Sequence, residues 1–158
     1  MMRMLVFALL FAASAAALER DPVIGTWELD VARSSFDPGP PLRSQTRVYE
    51  RTAGGVRFTL TGVSAAGTPM RVEYTAPYDG KDYPLTGSPS VNSVALTRVD
   101  RLRADAVEKK DGAPKFHVTR VISPDENTMT VTSIGTNAKG TAIKNVLVFR
   151  RVTSSRSR

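Results

Sequence analysis

Hydrophobic and polar residues alternate with a period of two along most of the chain. The first clear case lies in residues 23–31, where Trp27, Leu29 and Val31 share one side and Thr26, Glu28 and Asp30 share the other. This alternation is typical of a β-strand with one face in a core and the other in water. No stretch shows a clear helical stripe of hydrophobic residues. The pattern therefore predicts an all-β protein.

Turn signals such as Gly54-Gly55, Asp79-Gly80 and Asp111-Gly112 separate the alternating stretches and favour tight hairpins. The alternation between such turns predicts about ten strands. They lie near 24–32, 43–52, 56–63, 69–77, 82–86, 93–99, 103–110, 115–123, 128–135 and 142–152. Consecutive hairpins form a meander, and closing a meander removes its exposed edges. We therefore expect a single antiparallel up-and-down β-barrel, with an open β-sandwich as the alternative.

The N-terminal residues have the features of an export signal. A positive residue precedes an apolar stretch, and small residues in a small-x-small pattern follow up to Ala17. We expect cleavage after Ala17, with a retained N-terminal anchor as the alternative. The predicted organisation is a signal peptide at 1–17, a barrel domain at 18–152 and a disordered basic tail at 153–158. The predicted location is periplasmic or secreted, with no transmembrane segment after cleavage.

Composition limits the chemistry that the chain can perform. With no cysteine, disulfides are excluded and the barrel must be stabilised by its core. His117 is the only histidine, so we expect no metal and no cofactor, and we assign no catalytic residue. The net charge is +7, but the arginines mostly alternate with apolar residues, as on the wet face of strands. This arrangement lacks the basic stripe of a nucleic-acid-binding element, and we expect no nucleic-acid partner.

Gly25-Thr26-Trp27 on the first predicted strand, with Arg150 and Arg151 on the last, resembles the calycin group. That group includes the lipocalins and the fatty-acid-binding proteins. In lipocalins a Gly-x-Trp lies on the first strand, and an arginine from the end of the barrel packs over the indole. The resemblance implies that Gly25, Trp27 and either Arg150 or Arg151 close one end of the barrel, through a cation–π contact.

A second resemblance covers nearly all of the chain that follows the signal. The segments Gly25–Asp30, Ala32–Phe36, Tyr78–Pro84 and Gly135–Ala138 are similar to a largely uncharacterised group of small exported bacterial proteins. These proteins are described as lipocalin-like and have no established activity. The resemblance implies a barrel fold and export, and it implies no reaction.

Arg120 is the first candidate for binding a ligand. It shares a strand face with Phe116 and Val118, so its guanidinium lies inside the barrel if that face points inward. The resemblance to fatty-acid-binding barrels implies that such an arginine holds a carboxylate through paired hydrogen bonds. The alternative is an arginine at the rim, in water. Other residues predicted to line the cavity, or to fill a solid barrel, are Tyr49, Phe58 and Tyr74.

Residues 78–84 form the densest cluster of polar and aromatic side chains. Tyr78, Asp79, Lys81 and Tyr83 are predicted to form a lip at the barrel mouth that fixes the polar end of a ligand. The alternative is a hairpin turn at Asp79-Gly80, with the two tyrosines paired across it.

These observations favour a monomeric exported barrel that binds a small amphipathic or hydrophobic ligand, anionic ligands included. One alternative is a solid barrel that acts as an envelope interaction or stress-related module through its basic outer surface. The other is an isomerase or cyclase, for which Glu73 and Asp82 are the candidate inward carboxylates. We leave enzymatic activity open and prefer the binding protein.

Overall fold

The computed structural model describes residues 20–153, in which ten β-strands account for most of the chain. The strands are β1 (Gly25–Asp37), β2 (Ser44–Thr52), β3 (Gly55–Val63), β4 (Pro69–Pro77), β5 (Asp79–Thr86), β6 (Ser93–Arg98), β7 (Arg103–Lys110), β8 (Ala113–Ile122), β9 (Thr128–Thr136) and β10 (Ala142–Arg151). The alternating pattern thus locates every strand, because one face of each strand is buried and the other is wet.

The strands pair in chain order, and β1 also pairs with β10. All pairs are antiparallel, and the register of the closing pair runs from Trp27 opposite Arg151 to Asp37 opposite Lys144. This confirms the predicted all-β, up-and-down barrel. Because the sheet closes on itself, neither β1 nor β10 is left as an edge strand.

Two strands extend beyond their predicted bounds by three residues or more. β1 continues to Asp37 across an irregularity between Asp30 and Ser35. The Ser34 hydroxyl bridges this irregularity, since it donates to the Asp30 carbonyl oxygen at 2.7 Å and accepts from the Val148 amide at 2.9 Å. The Ser34 side chain thus takes the place of backbone hydrogen bonds between β1 and β10. The alternation of hydrophobic and polar residues does not reveal such a replacement. The other strand, β5, begins at Asp79 rather than near residue 82.

The two ends of the barrel differ. At one end, where β1 begins and β10 ends, Trp27, Phe149 and Met129 are fully buried. We call this the closed end. At the other end lie the connections 38–43, 64–68, 87–92, 111–112 and 137–141. We call this the open end.

No helix within residues 20–153 is long and apolar enough to cross a membrane. The predicted signal peptide at 1–17 lies outside the described residues, as do residues 154–158 of the predicted tail.

Candidate functional site

The closed end is sealed around the indole of Trp27. Its Nε1–H donates to the Val23 carbonyl oxygen at 2.8 Å, and the Arg151 guanidinium carbon lies 4.2 Å from the ring centre. Arg151 Nη1 also donates to the Ile24 carbonyl oxygen at 2.8 Å. Gly25 has a φ of +136°, and a Cβ there would lie 2.8 Å from Arg151 Nη1. Glycine therefore supplies both the backbone conformation and the room that Arg151 needs.

Of the two arginines considered for this closure, the structure places Arg151 over the indole and Arg150 elsewhere. Arg150 points to the outer face, where it forms an ion pair with Asp30 at 3.1 Å and its side chain is 70% exposed. Successive residues of a strand face opposite sides, so only one of the pair can reach Trp27.

An internal cavity of about 560 Å³ occupies the barrel between the sealed end and the open end. The predicted residues Tyr49, Phe58 and Tyr74 line it, and their rings contact one another with centroids 5.0 Å and 4.7 Å apart. The interior is therefore not solid, contrary to the solid-barrel alternative. Burial raises the pKa of Tyr74 well above its ordinary value, so its hydroxyl is neutral.

Arg120 lies on β8 and faces the cavity from near the closed end. Only 7% of the residue is exposed, and its guanidinium carbon lies 5.0 Å from the centre of the Tyr49 ring. Nη2 donates to the Tyr78 hydroxyl oxygen at 2.8 Å, whereas the buried Nε–H has no hydrogen-bond partner. No carboxylate in residues 20–153 forms an ion pair with this group. Arg120 is therefore a buried cation without a bound counter-ion.

A short hydrogen-bonded chain lies beneath Arg120. The Tyr78 hydroxyl donates to Asp21 Oδ2 at 3.0 Å, and Arg98 Nη2 donates to the same oxygen at 2.5 Å. Burial raises the pKa of Tyr78, although Arg120 opposes the rise. Burial acts to raise the pKa of Asp21, but the hydrogen bonds from Arg98 and the Val23 amide, together with the charges of Arg98 and Arg120, outweigh it and the pKa is lowered. Arg98 pairs directly with Asp21, whereas Arg120 reaches this carboxylate only through the Tyr78 hydroxyl. Two guanidinium groups and one carboxylate leave this cluster with a net positive charge.

The structure places residues 78–83, the predicted lip, at the closed end of the barrel rather than at its mouth. The meander brings the end of β4 and the start of β5 to the closed end, so Tyr78 lies below Arg120 rather than at the mouth. Asp79, Lys81 and Tyr83 do not line the cavity. Asp79 instead accepts from the Tyr83 hydroxyl at 2.5 Å and from the Lys81 backbone amide at 2.9 Å.

The two tyrosines are not paired across a turn either. Tyr83 pairs with Val94 of β6, and Tyr78 reaches Asp21 across the end of the barrel. The β4–β5 ladder is short, since only Glu73 and Tyr74 have partners in β5. The alternative arrangement, with Tyr78 opposite Tyr83, therefore does not occur.

The carboxylates considered for an enzyme also lie outside the barrel. Glu73 forms an ion pair with Arg71 at 2.5 Å, and Asp82 forms one with Lys109 at 2.8 Å. Both are on the strand face opposite the cavity, because Glu73 is adjacent to inward Tyr74 and Asp82 is three residues before inward Leu85.

Two inward charged residues of the cavity were missed by sequence reasoning, Glu108 and Arg47. Asp105 also borders the cavity, but it forms an ion pair with Arg103 at 3.2 Å. Glu108 has no hydrogen bond or ion pair with residues 20–153. Burial raises the pKa of Glu108, although Arg47 opposes the rise. Arg47 donates from Nε to Gln45 Oε1 at 2.8 Å, and its guanidinium carbon lies 4.8 Å from the centre of the Phe149 ring.

Alternation contains the signal that would have found them. Glu108 shares a strand face with Ala104 and Ala106, and Arg47 shares one with Tyr49. In the sequence, however, Glu108 precedes Lys109 and resembles the solvated end of a strand.

Within residues 20–153, no group of three histidine, cysteine, aspartate or glutamate side chains is placed to hold a metal ion. The single histidine, His117, is exposed on the outer face of β8. The chemistry of the interior is therefore that of arginine, glutamate, tyrosine and amide groups against apolar walls.

No family model and no curated protein matches the sequence. Among solved structures, the chain is similar to a crystal structure of the zebrafish ileal bile acid-binding protein complexed with cholic acid. The two sequences are 15% identical, the match covers 83% of this chain and 99% of the other, and the TM-score is 0.47.

Proposed function

We propose that this protein is an exported barrel that binds a small amphipathic ligand, with an anionic head group at Arg120 and an apolar body in the cavity. The observation that carries the proposal is the buried Arg120, which has an unpartnered Nε–H and no ion pair within residues 20–153. A charge held away from water is costly unless a counter-ion or further hydrogen bonds compensate for it. A ligand carboxylate supplies both.

The walls of the cavity suit the apolar part of such a ligand. Aromatic and aliphatic side chains dominate the lining, and the volume of about 560 Å³ lies within the range of small-molecule sites. Its unpaired charged groups are Arg120, Arg47 and Glu108, which sum to a net charge of +1. This charge favours an anion over a cation.

The export signal at residues 1–17 supports a periplasmic or secreted location. We take the protein to act as a monomer, since the cavity and the charged groups that face it belong to one barrel. One chain then binds one ligand, and no residue from a second copy is needed.

Isothermal titration with octadecanoate and the uncharged octadecanol tests the proposal. We expect Arg120→Leu to weaken octadecanoate binding by about 10- to 150-fold, the equivalent of about 1.5–3 kcal/mol for hydrogen bonds to a charged group. Octadecanol binding should change little. The control is Arg103→Leu, which removes an exposed arginine from the outer face of β7.

Unchanged octadecanoate affinity in Arg120→Leu, or no binding of octadecanoate by the wild-type protein, would refute the proposal. A thermal melt of each variant establishes that it is folded. Arg120→Gln provides a second variant if the leucine protein fails to fold, since it keeps a polar side chain but removes the charge.

A further inference from the structure

We propose that Glu108 is a second polar anchor in the cavity and that it takes a ligand hydroxyl group. The inference rests on the proposed function, and it narrows the ligand to a long carboxylic acid that carries a hydroxyl at mid-length. Glu108 lines the cavity and has no hydrogen bond or ion pair within residues 20–153, so its carboxyl oxygens are available to a ligand.

The register of β7 and β8 separates the two anchors. Arg120 is opposite Ala104, whereas Glu108 is opposite Phe116, on the same inward face. Glu108 is four residues further along β7 than Ala104, a span of about 13 Å at the usual rise per residue. Glu108 is therefore nearer the open end, with the apolar side chain of Ala106 between the two levels.

The pairing of β7 with β8 contains a bulge beside Glu108. The pairing of β7 with β8 shifts directly after Glu108, because Lys109 is opposite Pro114 and Lys115 has no partner. On the next strand, a Cβ at Gly135 would lie 1.8 Å from the Lys115 carbonyl oxygen, so only glycine fits. Bulges of this kind fix or redirect side chains and are frequent beside functional sites.

The charge of Arg47 in the same cavity limits the groups that Glu108 can take. Arg47 faces the same cavity, and its positive charge acts to lower the pKa of Glu108. Its guanidinium carbon lies 4.8 Å from the Phe149 ring centre. A ligand ammonium at Glu108 would meet this cation, and a second ligand carboxylate would meet the Glu108 carboxylate. A hydroxyl avoids both conflicts, because it donates to a carboxylate and accepts from a guanidinium or from a protonated carboxyl group.

Three probes test this inference by isothermal titration: octadecanoate, octadecanoate hydroxylated at mid-chain, and octadecanoate hydroxylated beside the carboxylate. We expect the wild-type protein to prefer the mid-chain hydroxy acid to octadecanoate by about tenfold, the effect of one hydrogen bond to a charged group. The acid hydroxylated beside its carboxylate should show no such gain, because its hydroxyl lies at the level of Arg120.

Glu108→Leu should lose the preference while still binding octadecanoate, and Glu108→Gln should retain part of it. The matched control is Glu50→Leu on the outer face, where Glu50 is paired weakly with Arg57 at 4.0 Å. Equal affinities of the wild-type protein for all three probes, or a preference that persists in Glu108→Leu, would overturn the inference and leave the proposed function standing. Failure of all three probes to bind would refute both.

Discussion

Removal of the Trp27 side chain should destabilise the barrel strongly. The indole is fully buried, its N–H donates to the Val23 carbonyl oxygen, and one face is covered by Arg151. Trp27→Ala leaves a cavity, an unpaired carbonyl and a guanidinium without its aromatic partner. Large-to-small substitutions of buried aromatic residues cost about 3–5 kcal/mol, and we expect the loss in free energy of unfolding to lie in this range.

Urea denaturation followed by far-ultraviolet circular dichroism measures this loss. Fluorescence is unsuitable for the variant, because Trp27 is the only tryptophan. With an m-value of about 2 kcal/mol per molar urea, the midpoint should fall by about 1.5–2.5 M. A loss below about 1 kcal/mol would show that the indole does not seal the barrel, and the reasoning would be wrong.

The two neighbouring arginines provide the matched comparison for this closure. Arg151→Met removes the cation over Trp27 together with its donors to backbone carbonyls, and should cost more than about 2 kcal/mol. Arg150→Met removes only an outer ion pair and should cost less than about 1 kcal/mol. Equal losses in the two variants would contradict the assignment of Arg151 to the closure.

Three further outcomes are expected. Burial raises the pKa of Glu108 above its value of 4.5 in the unfolded chain, so its neutral form contributes stability that is lost as the pH rises through the folded-state pKa. Glu108→Gln should therefore be more stable than the wild type at about pH 8 and should gain no stability at about pH 4, as measured by urea midpoints. The same difference in midpoint between variant and wild type at both pH values would contradict this. Gly25→Ala should cost about 1–3 kcal/mol by the same assay, because alanine at positive φ is strained and its Cβ meets Arg151; an unchanged midpoint would show that the position tolerates a side chain. Mass spectrometry of the exported protein should find Leu18 as the first residue, and a retained Met1 would refute the signal peptide.

The fold was predictable from the sequence because a barrel with one buried face imposes a period of two on every strand. The same alternation indicated that Arg120 shares a face with apolar residues, and the structure places it inside the barrel. The position of the Tyr78–Tyr83 segment along the barrel axis was not predictable in this way. Alternation reveals which face of the sheet a residue occupies, whereas its position along the axis depends on which end of the barrel each turn of the meander reaches.

The missed charges have a physical explanation. Glu108 and Arg47 occupy inward positions, but charged residues are usually solvated, and composition alone places them in water. The volume of the cavity was not predictable either, because it depends on strand tilt and on how side chains from opposite walls meet. These contacts join residues that are distant in the sequence.

A crystal structure of the wild-type protein with bound octadecanoate tests the ligand-binding proposal most directly. We expect the carboxylate to lie within hydrogen-bond distance of Arg120 Nε, with the chain extending past Glu108 toward the open end. An empty cavity, or a carboxylate at the open end with its chain directed toward Arg120, would contradict the role of Arg120 as the anchor of an anionic ligand.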